Sequence, residues 1–166
     1  MNSTISIRPA FYDDEQEVLA IMNQAIAEKK NAYITEFDWV KGSEWYKRMR
    51  DTSSWILLAM MDDQVVGWGN LSDYRGGREA FARVQEISFY VHQDFRRMGV
   101  ASRLISELEI VAQNGGIRQL VAMLLDDNLS SRALLEKNGY FVWGLFENIA
   151  VFEDKTRGHL YMGKAL

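Results

Sequence analysis

Arg96, Arg97 and Gly99 stand together where an apolar run gives way to helical spacing. The run is Val84-Gln85-Glu86-Ile87-Ser88-Phe89-Tyr90-Val91. Beyond the corner, Val100, Leu104, Ile105, Leu108, Val111 and Ala112 fall on one helical face. The reading is strand, loop, helix. A helix start leaves several backbone N–H groups unpaired and aimed along the axis, which makes it an anion site. Gly99 lets the backbone approach a ligand closely, Ala101 and Ser102 are small, and the two arginines add charge. These parts suit a pyrophosphate. An ordinary strand-to-helix turn with solvated arginines is the competing reading. No P-loop pattern is present, and Gly67-Trp68-Gly69 lacks the third glycine of a dinucleotide fingerprint.

Glu86 is the candidate general base. In a regular strand Glu86, Ser88 and Tyr90 share one face, while Ile87, Phe89 and Val91 share the other. A carboxylate in so apolar a run is partly desolvated, which raises its pKa and makes it a better base near neutral pH. An edge carboxylate, or one paired with Arg83, is the alternative. His92 and His159 are too few and too far apart in sequence to suggest a metal site.

The elements that must position these groups follow from the rest of the chain. Ile5-Ser6-Ile7-Arg8 alternates like a short strand and stops at Pro9. Asp13 and Asp14 suit a helix start, and Val18, Leu19, Ile21, Met22, Ala25 and Ile26 give a helical stripe to about Glu28. Ala32 to Trp39 has no clean period and reads as a packed loop or a lid. Ser43 to Arg50 reads as a short helix. Trp55 to Met61 and Gln64 to Leu71 form a hairpin about Asp62-Asp63, its first strand covered on both faces. After the central strand and helix, Asn114-Gly115-Gly116 is a stop. Ile117 to Leu125 is a buried strand, and Asn128 caps a short helix ending at Asn138-Gly139. Tyr140 to Phe146 and His159 to Leu166 read as closing strands, joined by a polar connection. A mixed α/β sheet flanked by helices satisfies this order, with a parallel crossover from Val84 to Leu125.

Composition excludes several classes. The 166 residues are 48% hydrophobic and 25% charged, as expected of one globular domain spanning 1–166. A net charge of −4 does not suit coating nucleic acid or an anionic membrane, so attraction for a phosphorylated ligand must be local. Cysteine is absent, which removes disulfides, thiolate metal sites and a cysteine nucleophile. Met1-Asn2-Ser3-Thr4 lacks the regions of a secretion signal, and no apolar run approaches the ~20 residues of a membrane span. A cytoplasmic protein is the simplest expectation.

Arg96-Arg97-Met98-Gly99-Val100-Ala101 resembles the acetyl-coenzyme A loop of the GNAT N-acetyltransferase superfamily, written Q/R-x-x-G-x-G/A. Glu86-Ile87-Ser88-Phe89-Tyr90-Val91-His92 resembles the strand before that loop in its phosphinothricin and methionine sulfoximine acetyltransferase branch. Asn128-Leu129-Ser130-Ser131, followed by Asn138-Gly139-Tyr140, is similar to the superfamily's Asn-x-x-Ser/Ala…Gly-Phe/Tyr block. The resemblance implies a mostly antiparallel, splayed sheet of about seven strands flanked by about four helices.

It also implies an activity: transfer of acetyl from acetyl-CoA to the primary amine of a small amino-acid-like substrate, without a metal. With no cysteine to carry the acyl group, the amine attacks directly in a ternary complex. Gln93, Arg96, Arg97, Met98, Gly99, Val100, Ala101 and Ser102 would cradle the coenzyme. The Val91 N–H would face the thioester oxygen, and Asn128 and Ser131 would line the pantetheine arm. Glu86 would take the proton, directly or through water. Many superfamily members place a tyrosine seven positions past the Asn, where this chain has Leu135, so the usual proton donor to the thiolate is missing. Tyr140 reads as a core aromatic. Arg75 and Arg78 are the candidates for an acceptor carboxylate, with Tyr33, Phe37 and Trp68 as walls. A polyamine or peptide amine, or a non-catalytic acyl-CoA sensor of the same fold, are the rival readings. A homodimer is suggested only by analogy with the branch.

Overall fold

The computed structural model describes residues 4–166; Met1, Asn2 and Ser3, part of the stretch read above for a secretion signal, lie outside the described residues. Eleven elements follow in order: β1 (Ser6–Pro9), α1 (Glu15–Ala27), α2 (Trp39–Thr52), β2 (Ser53–Met61), β3 (Gln64–Asp73), β4 (Val84–Val91), α3 (Val100–Asn114), β5 (Gln119–Leu125), α4 (Leu129–Lys137), β6 (Phe141–Val151) and β7 (Thr156–Ala165). The strands form one sheet in the order β1-β2-β3-β4-β5-β7-β6. Every neighbouring pair is antiparallel except β4–β5. The expected mixed sheet of seven strands and four helices is what forms.

Alternation along the strands splits the apolar residues into two cores. On one face Val100, Leu104, Ile105, Leu108 and Ala112 of α3 pack on Leu57, Ala59, Leu71 and Ile87, and on Leu120, Ala122 and Leu160. On the other, Val18, Ile21, Met22 and Ile26 of α1 and Trp45, Tyr46 and Met49 of α2 pack on Ile56, Leu58, Val65 and Trp68. No described residue of β5, β7 or β6 joins this second core, so that half of the sheet face carries no helix. β2 feeds both cores, which explains its unbroken apolar run. Gly67 and Gly69 serve close packing: a Cβ at Gly69 would lie 2.8 Å from Leu108 Cδ1, and one at Gly67 3.0 Å from Val100 Cγ1.

Three elements, α2, β6 and β7, run several residues longer than the sequence indicates. α2 starts at Trp39 because the Asp38 side chain accepts from the Lys41 N–H at 2.9 Å and caps it. β6 and β7 extend through the stretch read as a polar connection. Asn148 adopts φ 55° there, and the pairing shifts register between Phe146 and Ala150. A bulged, exposed strand carries the polarity of a loop. No described helix is long and apolar enough to cross a membrane.

Candidate active site

Among the described residues the only parallel contact in the sheet is short. β4 and β5 share three rungs, Val84 with Gln119, Gln85 with Leu120 and Glu86 with Val121. Above Glu86 the strands part, while β4 stays paired with β3 as far as Val91. The His92 N–H donates to Val66 O at 2.9 Å, which makes His92 and Val66 a hydrogen-bonded rung of the antiparallel pair. Rungs alternate, so the N–H groups of Phe89 and Val91 point away from β3, into the fork. A cleft of about 780 Å³ occupies this fork, lined on the β4 side by residues 86–91 and on the β5 side by residues 122–125.

One end of the cleft is built for an anion. Gly99 sits at φ 88° as the N-cap of α3, and no side chain caps the helix. Arg103 N–H is already bonded to Gly99 O, which leaves the earlier N–H groups of the first turn facing the cleft. Arg96, Arg97, Gly99, Val100, Ala101 and Ser102 all line it, and Asn128 and Ser131 line the opposite wall. Asn128 also caps α4, accepting from Ser131 N–H at 3.3 Å, so its structural role is secure whatever it binds. Arg97, with φ 63°, has no ion pair among the described residues. Arg96 does: its Nη1 donates to both carboxylate oxygens of Glu28, at 2.9 and 3.0 Å.

The floor of the fork carries Glu86. Among the described residues no hydrogen bond or ion pair reaches its carboxylate, so burial alone pushes its pKa up. Arg83 does not pair with it. Tyr90, on the same face, is held neutral by burial, and the Asn31 side chain lies next to its hydroxyl. Tyr33 lies close to it, and both residues line the cleft.

Several expected site residues lie elsewhere. Trp68 is 1% exposed and belongs to the second core; it stacks on Tyr90 at 4.6 Å between centroids, behind the lining. Phe37 is also behind it, in contact with Tyr33 at 5.0 Å and Trp45 at 5.4 Å. Alternation along β3 turns Trp68 towards α1 and α2, and both aromatics back the site without walling it. Arg75 and Arg78 sit on the exposed β3–β4 loop, outside the lining, and Arg78 bonds Gly76 O of its own loop. That loop enters β4 at its paired end, whereas the fork opens towards Val91. Gln93 and Met98 do not line the cleft either: the Gln93 N–H donates to Gln24 Oε1 at 3.0 Å, and Met98 is exposed.

Other lining residues gave no motif. Glu28, Lys30 and Asn31 come from the segment that follows α1, Lys137 from α4 and His159 from β7. His159 pairs with Leu125 and shares the sheet face of Glu86; burial lowers its pKa, so the ring is neutral at pH 7. Leu135 and Tyr140 are buried in the α3-side core. Tyr140 lies outside the cleft lining, with its hydroxyl buried beside Glu109, which places it away from bound substrate.

Comparison with known proteins agrees with this geometry. The sequence profile of the acetyltransferase (GNAT) family matches residues 18–140. A Bacillus subtilis (strain 168) protein named provisionally as a phosphinothricin acetyltransferase is 30% identical over 163 residues, 98% of this chain and 99% of the relative. The L-methionine sulfoximine/L-methionine sulfone acetyltransferase of Pseudomonas aeruginosa is 28% identical over 141 residues, 84% of this chain and 81% of its own. Among solved structures, a ribosomal-protein-alanine N-acetyltransferase from Brucella melitensis superposes with a TM-score of 0.87 at 28% identity, covering 97% of this chain and 99% of that one. A phosphinothricin acetyltransferase from Sinorhizobium meliloti, solved with AcCoA, has a TM-score of 0.89 at 21% identity, covering 98% and 89%, and is a likeness of fold. The chain belongs to the acetyltransferase (GNAT) family.

Proposed function

We propose that the protein, as one domain over residues 1–166, moves acetyl from acetyl-CoA to the primary amine of a small amino-acid-like acceptor. The observation that carries this reading is the fork itself: an uncapped helix start at one end, free backbone donors along one wall and an unpaired, half-buried carboxylate on the floor. The coenzyme supplies an activated acyl thioester. The first turn of α3 and Arg97 bind its diphosphate, and Asn128 and Ser131 line its arm. The Val91 N–H is a fixed donor where negative charge develops on the acyl oxygen, worth a few kcal/mol. An alkylamine with a pKa near ~10.4 arrives as ammonium, and Glu86 takes its proton, directly or through one water. With the amine and the thioester held together, attack is direct. Leu135 offers no proton, so the leaving thiolate takes, through solvent, the proton that the nitrogen sheds as the amide forms.

The methionine sulfoximine acetyltransferase among the relatives supports an amino-acid-like acceptor. The polar Asn31 and aromatic Tyr33 and Tyr90 beside Glu86 suit a small one. With Arg75 and Arg78 outside the lining, Lys30 is the lining cation adjacent in sequence to that wall. A peptide amine is the second reading, favoured by the likeness to the alanine N-acetyltransferase. Thiol release from acetyl-CoA over a panel of amino acids, sulfoximines, polyamines and peptides tests both. Release with none of them, despite coenzyme binding, leaves the acyl-CoA sensor.

The reading includes a homodimer through β6. This edge strand exposes Phe141, Val142, Trp143, Leu145, Phe146, Ile149 and Val151. Counting about 150–250 Å² for a fully exposed aromatic side chain, the exposed apolar area is on the order of 600 Å², against about 800 Å² per partner in a standard interface. A second copy supplies the same apolar strand, as a two-fold interface needs.

A further inference from the structure

We infer that Glu28 is a positioning residue for the acceptor: through Arg96 it fastens the coenzyme loop to the stretch of chain that bridges the cleft at its acceptor end. The inference rests on the acetyltransferase reading above. α1 ends in a paired cap, with Lys30 N–H bonded to Ala25 O and Lys29 N–H to Ile26 O, both at 2.9 Å, and Lys29 at φ 54°. Such a cap fixes the direction in which the chain leaves the helix. The stretch from Glu28 to Tyr33 is then held from both sides of the fork. Glu28 takes Arg96 on the β4–α3 loop. Lys30 O accepts from Asn128 Nδ2 of the α4 cap at 3.3 Å. The Asn31 side chain lies next to the Tyr90 hydroxyl, and its Oδ1 accepts from the Tyr33 N–H at 3.0 Å. Asn31, Ala32 and Tyr33 thereby become lining of the cleft.

Charge decides what Arg96 does here. A lone carboxylate in the lining beside a diphosphate site would repel the coenzyme. Arg96 neutralises it and, with Nε 3.5 Å from Val91 O, lies against the end of β4. Arg96 is therefore a strut, and the cation left for phosphate is Arg97. The two roles predict different coenzyme affinities. If Arg96 were a phosphate ligand restrained by Glu28, removing the Glu28 charge would tighten coenzyme binding. If it is a strut, the same change loosens the acceptor wall and leaves the coenzyme where it was.

The test uses the full chain with Glu28→Gln, Arg96→Met and the double variant. It measures acceptor KM, acetyl-CoA affinity by calorimetry and the melting temperature. Each single variant should raise acceptor KM about three- to fivefold, the most that a half-exposed ion pair supports. The double variant should be no worse than either single one, because both remove one link. Acetyl-CoA affinity of Glu28→Gln should stay within about twofold. Tighter coenzyme binding in Glu28→Gln, additive effects in the double variant or an unmoved acceptor KM would each overturn the inference. Coenzyme binding without thiol release by the unaltered protein would instead overturn the functional reading, and this inference with it.

Discussion

Glu86 stands opposite Val121 on the last rung that β4 and β5 share. The candidate base therefore sits at the floor of the fork, where the sheet stops excluding ligand and the cleft begins. Its carboxylate has no partner among the described residues, and burial raises its pKa.

Catalysis and stability depend on that carboxylate with opposite sign. The base works when ionised, so kcat/KM should fall as pH drops through a value above the ordinary carboxylate range. Glu86→Gln should lose that acid limb and lower kcat roughly 10²-fold while coenzyme affinity is kept. The fold favours the protonated form, so Glu86 contributes stability below its unfolded pKa and loses it as pH rises through the folded one. Glu86→Gln should thus raise the melting temperature at mildly alkaline pH more than at acid pH. Unchanged turnover at saturating amine would remove Glu86 from the role.

Two glycines should fail in different ways. At Gly99 a Cβ meets nothing within 4 Å, but φ 88° is strained for any other residue. Gly99→Ala should cost about 1 kcal/mol of stability and raise coenzyme KM about tenfold by reshaping the helix start. At Gly67 a Cβ would lie 2.9 Å from Tyr90 O. Gly67→Ala should cost about 1–3 kcal/mol, with coenzyme KM close to normal in the folded fraction. Calorimetric melting and initial rates separate the two cases.

Tyr140→Phe is expected to be silent in catalysis. The hydroxyl is buried beside Glu109 and meets no hydrogen-bond geometry among the described residues, and burial and Glu109 push its pKa up. Deleting an unpaired buried hydroxyl is near neutral or stabilising. A kcat lowered tenfold or more would show that Tyr140 reaches the thiolate after all.

Phe146→Glu should convert a dimer to monomers in light scattering, since it places a charge among the exposed apolar residues of β6. Phe146 pairs with His159, which lines the cleft, so acceptor KM should rise as the dimer is lost. An unaltered protein that runs as a monomer at micromolar concentration would exclude the interface.

Much of the fold was legible because its signals are local. The α3 stripe, the Asn128 cap and the alternation of Glu86, Ser88 and Tyr90 against Ile87, Phe89 and Val91 each follow from a few neighbouring residues. The ends of β6 and β7 were not, because a bulged edge strand around Asn148 carries loop-like polarity. Arg75 and Arg78 looked available to the acceptor by nearness in sequence, yet they sit on a loop outside the cleft lining. Trp68 looked like a wall and is core, since its place between α2 and Tyr90 depends on how two helices pack.

The sequence by itself determined the strand–loop–helix unit that presents unpaired N–H groups and a carboxylate, because backbone periodicity and helix ends are properties of contiguous residues. Only the tertiary structure decided where β4 and β5 separate, that Arg96 is taken by Glu28, and that Lys30, Asn31, Lys137 and His159 meet in one cleft. Those residues come from the α1–α2 loop, α4 and β7, and no local pattern records a meeting that chain packing alone brings about.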